Sequence, residues 1–217
     1  MKKKIKQLVW NVLIKLKIGG VTQLYLASGL RDDGWFESFN TKKSIDKDGN
    51  PIPWCTYPFI KFIEPRLKKD FKVFEYGSGN STLWYSKRVD EITAVENDLD
   101  WYKNVSSSIP ANANIIYSDL NYEDGEYSQQ VTKTGKKYNI IIIDGRDRVN
   151  CIKHSINSLT DDGVIVFDNS NLAKYSEGNR FLITKGFNKI DFWGLSPVTG
   201  HNNCTSIFYK NNNCLGI

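Results

Sequence analysis

The sequence predicts an α/β protein: a doubly wound, seven-stranded, mostly parallel sheet with an antiparallel last strand, preceded by an N-terminal helical and irregular extension. From residue 71 onwards, short apolar segments of strand length alternate with helical segments, as in parallel sheets joined by helices. The stretch 73–82 runs from an apolar strand through two glycines into a helix, a turn typical of nucleotide-binding sheets. The last two strands have no helix between them, so we expect them to pair antiparallel.

Length and composition indicate a globular chain with one main domain. The chain has 217 residues, 40% hydrophobic and 24% charged, and we expect a domain at 71–217 preceded by an extension at 1–70. Much of the net charge of +5 lies in the first seventeen residues, so it does not indicate a nucleic-acid partner. The four cysteines lack zinc-site spacing, which favours free thiols and a cytoplasmic location. No apolar run has the length of a membrane span.

The first eighteen residues predict a basic amphipathic helix. Apolar residues between positions 5 and 16 follow the i, i+3, i+4, i+7 spacing of one helix face, and lysines flank them. Such a helix can pack on the domain with its lysines in solvent, or lie weakly on an anionic membrane surface, which would make the protein peripheral at the membrane. A secretory signal is disfavoured because Asn11 interrupts the apolar stretch and lysines follow it.

Residues 30–58 are expected to be irregular, because turn-forming sequences occur at 31–34 and 46–51. Six aromatic residues lie in or beside these turns. They are expected either to pack against the domain or to form a lid over a ligand cleft. Residues 58–69 predict a helix with an apolar face.

The alternation after residue 71 gives the order of the remaining elements. Strands are expected at about 72–76, 91–96, 114–117, 138–144, 163–168, 189–193 and 205–209. Helices are expected at about 81–88, 98–107, 148–159 and 177–186. A polar stretch at 121–137 has no predicted element. The continuous apolar run at 138–144 is typical of a strand buried on both faces.

The turn after the first strand is the strongest candidate for a cofactor site. Glycine allows the backbone to turn tightly and a ligand to approach closely. A dinucleotide-binding fingerprint would place a third glycine at position 82, where the sequence has Thr82, and this disfavours an NAD(P)-linked oxidoreductase. The candidate cofactor-binding residues of this turn are Glu75, Gly77, Gly79, Asn80 and Ser81.

Five predicted strands in succession carry an acidic residue at or just after their carboxyl ends, the edge where ligands of such sheets bind. Glu96 lies twenty-one positions after Glu75, a distance suited to accepting hydrogen bonds from ribose hydroxyls. One such acid could be a turn or helix cap, but five together indicate a ligand-binding edge. The five acids are Glu75, Glu96, Asp119, Asp144 and Asp168.

Residues 71–209 resemble the class I S-adenosylmethionine (SAM)-dependent methyltransferases, whereas residues 1–70 are outside the resemblance. The resemblance implies that Gly77 and Gly79 line the methionine part of SAM and that Glu96 holds the ribose. It also implies that Asp119 approaches the adenine amino group.

Within that superfamily, Ile143-Asp144-Gly and Phe167-Asp168-Asn169 resemble the metal-binding motifs of catechol and caffeoyl-CoA O-methyltransferases. The resemblance implies that Asp144, Asp168 and Asn169 bind Mg²⁺ or Mn²⁺, whose preferred ligands are such oxygens. Those enzymes use a lysine three positions after the first aspartate as the base, and this sequence has Asp147 there. The identity of the base is therefore open, and the flanking Arg146 and Arg148 could instead hold an acidic acceptor.

The connection at 195–204 is expected to overhang the ligand edge, because one strand ends there and its antiparallel partner begins there. It contains His201, one of two histidines, which joins Asp144 as a candidate catalytic residue. Together with the resemblance, these residues predict a cytoplasmic SAM-dependent methyltransferase that acts on a small-molecule or sugar/glycan hydroxyl, with possible assistance from a divalent metal. The alternatives are a methyltransferase-like scaffold or membrane-surface binding protein without catalysis and, less favoured, an NAD(P)-linked oxidoreductase.

Overall fold

The computed structural model describes residues 2–217 and confirms the predicted α/β fold. Its strands are β1 Lys72–Tyr76, β2 Glu91–Glu96, β3 Ala113–Tyr117, β4 Tyr138–Ile143, β5 Leu159–Asp168, β6 Asn188–Gly194 and β7 Asn203–Tyr209. They form one sheet in the order β3-β2-β1-β4-β5-β7-β6. Strands β1 to β5 are parallel, and β7 pairs antiparallel with both β5 and β6. The antiparallel last strand was therefore predicted correctly.

The helices are α1 Lys2–Lys15, α2 Gly19–Leu26, α3 Gly29–Asp32, α4 Trp35–Thr41, α5 Tyr57–Ile63, α6 Asn80–Ser86, α7 Leu99–Ser106, α8 Glu126–Lys133, α9 Arg148–Ser155 and α10 Ser176–Thr184. Helix α8 was not predicted, and it lies inside the polar stretch at 121–137. Only Tyr127 and Val131 of this helix are buried apolar residues, one turn apart, and two positions do not establish a helical period. The expected irregular region contains α3 and α4, two short helices bounded by glycine and turn residues.

Alternate residues of the central strands point to opposite faces of the sheet, and both faces are covered. Val73 and Ile140 face a layer that includes Phe59 of α5. Phe74 and Ile141 face a second layer, which α8, α9 and α10 supply. Phe59 is fully buried, so part of the 1–70 segment shares a core with the sheet.

The two N-terminal helices lie outside this core. Apart from Gly19, no residue of α1 or α2 whose side chain is described is buried. One of the two interpretations of residues 1–18, an amphipathic helix packed on the domain, is thus wrong for the residues described; Met1 lies outside them. No helix within residues 2–217 combines the length and apolar character that crossing a membrane requires. Each of the four cysteines is a buried free thiol.

Candidate active site

A cleft of about 660 Å³ opens at the carboxyl ends of the parallel strands, where ligands of open α/β sheets bind. Most of the predicted site residues line it: Glu75, Gly77, Ser81, Glu96, Asp144, Asp168, Asn169 and His201. Gly79 and Asn80 line an adjoining cavity of about 550 Å³, which shares Trp54 and Trp101 with the cleft. Asp119 is exposed outside this lining, and its carboxylate accepts a hydrogen bond from the Tyr117 hydroxyl. Its predicted contact with adenine stays a prediction.

The turns after β1 and β4 pack against each other through glycines. Gly77 has a φ of +95°, a backbone conformation that side chains disfavour. A Cβ atom on Gly77 would lie 3.4 Å from the backbone of Gly145, and one on Gly145 would collide with the Tyr127 hydroxyl. Glycine at both positions therefore lets two loops meet at the floor of the cleft.

Glu75 is buried beneath the glycine turn. Its Oε2 accepts a hydrogen bond of 2.6 Å from the Thr82 hydroxyl, whose oxygen in turn accepts one from the backbone of Gly79. Thr82 thus occupies the third-glycine position and connects the turn to the carboxylate. Burial raises the pKa of Glu75 to about 8, because desolvation disfavours the charged form.

Glu96 fastens the same turn from β2. Its Oε2 accepts hydrogen bonds from the backbone N–H and the hydroxyl of Ser78, at 3.1 and 2.9 Å. Its Oε1 accepts from the backbone N–H groups of Asn97 and Asp98, at 2.8 and 2.9 Å. A carboxylate offers about four acceptor sites, and all of these are used. A ribose hydroxyl at Glu96 would therefore replace the Ser78 hydroxyl, a competition that sequence spacing does not reveal.

Glu96→Gln is expected to weaken cofactor binding at least about tenfold and to lower the free energy of unfolding by about 1–3 kcal/mol. The reason is that the amide nitrogen of Gln is itself a donor, and it would face N–H or O–H donors where the carboxylate oxygen of Glu96 accepts. Calorimetry with S-adenosylhomocysteine (SAH) and urea unfolding measure the two effects. Glu126→Gln, at an exposed glutamate, is the matched control. Unchanged affinity for Glu96→Gln would remove Glu96 from the cofactor site.

Asp144, Asp168 and Asn169 lie together, as predicted, but around the guanidinium of Arg148. Arg148 is 8% exposed. Its Nη2 donates to Asp144 Oδ1 at 2.9 Å, and its Nη1 lies 3.9 Å from Asp168 Oδ2 and 3.3 Å from Asn169 Oδ1. The expectation that Arg148 holds an acidic acceptor is wrong, because its charge is directed at the protein's own carboxylates. Arg146 is exposed and lines the cleft.

All five N–H donors of Arg148 have acceptors. Besides the Asp144 carboxylate and Asn169, these are the carbonyl oxygens of Gly145 at 2.9 Å, Asp144 at 2.6 Å and Asp168 at 2.5 Å. Each of the three oxygen groups predicted to bind a metal therefore faces an internal cation. Within residues 2–217, no group of three or more histidine, cysteine or acidic side chains has the arrangement of a metal site. In this arrangement the trio does not fit a divalent ion.

Strand β7 contacts Asp168 on the side away from Arg148. Thr205 of β7 donates its hydroxyl to Asp168 Oδ1 at 2.6 Å and accepts the backbone N–H of Thr56 at 3.1 Å. Burial and then the nearby Asp144 raise the pKa of Asp168 to about 7, while Thr205 and Arg148 oppose that shift.

Two half-exposed tryptophans and the 195–204 loop form the walls of the cleft. Trp54 and Trp101 are 47% and 45% exposed, although large aromatic side chains usually lie buried. The loop contributes Ser196, Thr199, His201 and Asn203, so its predicted place at the ligand edge is confirmed. The role of His201 as a base stays a prediction. Trp35 of α4 donates its indole N–H to the carbonyl of Thr199 at 2.7 Å, which fixes the N-terminal segment to this wall.

Solved structures share this architecture at low sequence identity. A protein from Klebsiella pneumoniae, provisionally assigned as an O-methyltransferase, is 12% identical with a TM-score of 0.57, over 94% of this chain and 96% of that one. Precorrin 8W decarboxylase of Methanobacterium thermoautotrophicum and precorrin-6y C5,15-methyltransferase of Geobacter metallireducens are each 14% identical. Their TM-scores are 0.53 and 0.52, over 71% and 70% of this chain and 88% of each of those proteins.

No protein-family model matches the sequence, and no curated protein matches it either. The structural similarities show the fold alone, a Rossmann-like α/β fold that this chain shares with those methyltransferase and decarboxylase structures.

Proposed function

We propose that the protein is a SAM-dependent methyltransferase that acts on a hydroxyl group. The observation that carries the proposal is the glycine turn after β1, which meets the buried acids Glu75 and Glu96 at the floor of the cleft. The cleft is lined by five acidic side chains and two arginines, and one of these arginines, Arg148, forms an ion pair with Asp144. This charge suits a cofactor with a positive sulfonium and ammonium. The fold supports the same proposal.

Bound SAM would supply an activated methyl group on a positively charged sulfur. The residues of this chain align the acceptor with that methyl group, and alignment accounts for much of the rate of an in-line displacement. The turn at Gly77 and the carboxylate of Glu96 would hold SAM, whose methyl group would pass to the acceptor oxygen with SAH as the leaving group, while the hydroxyl proton would go to a base. Asp144 and His201 line the cleft and are the candidate bases.

The acceptor is proposed to be a small molecule or a glycan with a polar, ring-shaped part. Trp54 offers a flat apolar surface, while Ser196, Thr199 and Asn203 offer hydrogen bonds. An aromatic face beside amide and hydroxyl groups is a combination that binds a polyhydroxylated or phenolic ring. The cytoplasmic location remains part of the proposal.

Calorimetry with SAM, SAH and NADH tests the cofactor. Binding of SAM and SAH in the micromolar range is expected, with none for NADH, since Thr82 stands where a dinucleotide site has its third glycine. Turnover is then measured as SAH release with a panel of phenols and sugars. NADH binding without SAM binding would instead identify an oxidoreductase, and SAM binding with no transfer to any acceptor would favour the scaffold alternative.

The predicted metal requirement is tested with manganese, whose free ion has a measurable paramagnetic signal. The ligand-free protein is expected to leave the signal of added Mn²⁺ unchanged, because Arg148 already neutralises Asp144 and Asp168. Turnover is likewise expected to persist in excess chelator. Stoichiometric Mn²⁺ binding that Asp168→Asn abolishes would restore the metal prediction and require Arg148 to move.

A further inference from the structure

The N-terminal helices α1 and α2 form a hairpin, here called the arm, that comprises residues 2–26. Lys17, two residues after the end of α1, has a φ of +59°, and the N–H of Ile18 donates to the carbonyl of Leu13 at 3.0 Å, which reverses the chain. Gly19 is buried against Ile14, where a Cβ atom would lie 2.8 Å from the Ile14 Cδ1. The closeness of the two helices at Gly19 gives the arm a defined shape.

The arm leaves its apolar side chains in solvent. Of the twenty large apolar side chains found exposed within residues 2–217, eleven belong to the arm. Five of them, at i, i+3, i+4 spacing, form one stripe along α1: Ile5, Leu8, Val9, Val12 and Leu16. An exposed contiguous apolar surface of this kind marks an interaction site.

The charge around this stripe has one sign. Residues 1–31 contain seven of the 29 basic residues and none of the 24 acidic ones, so residues 32–217 carry a net charge of −2. Lysines of α1 flank the stripe on both sides, at positions 4 and 15 on one side and at position 6 on the other. An apolar stripe bordered by lysines is the pattern of a helix that lies in the plane of an anionic bilayer surface.

We propose that the arm docks on an anionic membrane surface, with the apolar stripe of α1 in the headgroup region and its lysines against acidic lipid headgroups. A second copy of the chain fits less well, because two arms that each carry only positive charges would repel one another. The base of the arm is connected to the cleft: Tyr25 of α2 packs edge-on against Phe36 of α4, and neighbouring Trp35 contacts the 195–204 loop. Docking would therefore hold the cleft near the bilayer. The proposal does not depend on the methyltransferase function.

Flotation of the full-length protein with lipid vesicles tests the proposal. One set of vesicles is phosphatidylcholine alone, and the other contains about a third phosphatidylserine, a strongly anionic surface. Partitioning into the anionic vesicles is expected to be at least about tenfold stronger, and to weaken in high salt because the charges are screened.

Two variants separate the contributions of charge and apolar surface. The charge variant combines Lys3→Gln, Lys4→Gln, Lys6→Gln and Lys15→Gln. Its control makes the same change in charge at exposed lysines of the domain: Lys103→Gln, Lys174→Gln, Lys185→Gln and Lys210→Gln. The stripe variant combines Leu8→Ser, Val12→Ser and Leu16→Ser, and its control is Leu120→Ser with Ile183→Ser. Each arm variant is expected to lose about tenfold or more of the partitioning, and each control to keep it.

Several results would overturn the proposal. Wild-type protein that does not float with the anionic vesicles excludes membrane docking. Arm variants that float as well as their controls place any lipid contact elsewhere. Self-association that the stripe variant disperses, without vesicle binding by the wild type, assigns the surface to a second copy. All variants change exposed residues, and unchanged urea unfolding confirms that the domain is intact.

Discussion

Replacing Arg148 by methionine is expected to lower the free energy of unfolding by about 3–5 kcal/mol, the usual cost of removing one partner of a buried charge pair. Methionine keeps much of the length and apolar bulk of arginine but has no donors. Asp168 would then lie buried and Asp144 partly buried without a counter-ion, and three backbone carbonyl oxygens would lose a donor. Arg146→Met is the matched control, because Arg146 is exposed two positions away, and a change of less than about 0.5 kcal/mol is expected there.

The pH dependence of the Arg148→Met effect distinguishes charge from packing. Arg148 lowers the pKa of Asp168, which burial and Asp144 raise to about 7, so its removal should raise that pKa further. A carboxyl whose folded-state pKa lies above its unfolded value loses stability as pH rises through the folded-state pKa. The difference between variant and wild type should therefore widen from pH 5 to pH 8, and adding Asp168→Asn should narrow it at pH 8. A pH-independent difference would mean that Arg148 acts only by packing.

The sheet could be predicted because its central strands carry an unambiguous signal. The run Ile140–Ile143 and the glycine turn at 77–79 mark a buried strand and a close approach of the backbone wherever they occur. The five strand-end acids followed from the strand assignments, and four of them line the cleft. Asp119 does not, because its position depends on the path of a loop that no periodicity describes.

The partners of the site residues could not be predicted in the same way. Arg148 reaches Asp144 because α9 begins at Arg148 after Asp147 adopts a φ of +45°, a conformation that composition does not specify. The spacing of four between Asp144 and Arg148 was no signal for an ion pair, because that spacing brings side chains together within a helix and α9 begins only at Arg148. Whether an arginine beside an acid points inwards depends on the neighbouring strand, which here supplies Asp168 and its carbonyl. The exposed arm is a similar case, because an amphipathic pattern predicts a helix but not the surface that covers it.

SAM is expected to bind more tightly as pH rises, by up to about tenfold per pH unit between pH 6 and 8, if Glu75 faces a positive group of the cofactor. Burial raises the pKa of Glu75 to about 8, so the ligand-free protein holds this side chain largely protonated at pH 6. A positive ligand in the cleft favours the ionised form, and binding must then release a proton. Calorimetry at several pH values, in two buffers of different ionisation enthalpy, measures both the affinity and the proton release.

Glu75→Gln makes this prediction sharp, because glutamine imitates the protonated carboxyl and its amide oxygen can still accept the Thr82 hydroxyl. The variant should bind SAM about as well as the wild type at pH 6 and should lack both the rise in affinity and the proton release at pH 8.

The free energy of unfolding of Glu75→Gln should also differ from that of the wild type, and the difference should grow as pH rises. Because the folded-state pKa of Glu75 is raised, its stabilising contribution is complete below the unfolded value of about 4.5 and is lost as pH rises through about 8. The ligand-free variant should therefore gain on the wild type by up to about 1.4 kcal/mol per pH unit across that window, as measured by urea unfolding. Parallel pH profiles of variant and wild type, in affinity and in stability, would show that Glu75 does not titrate there and leave it a structural anchor of the glycine turn.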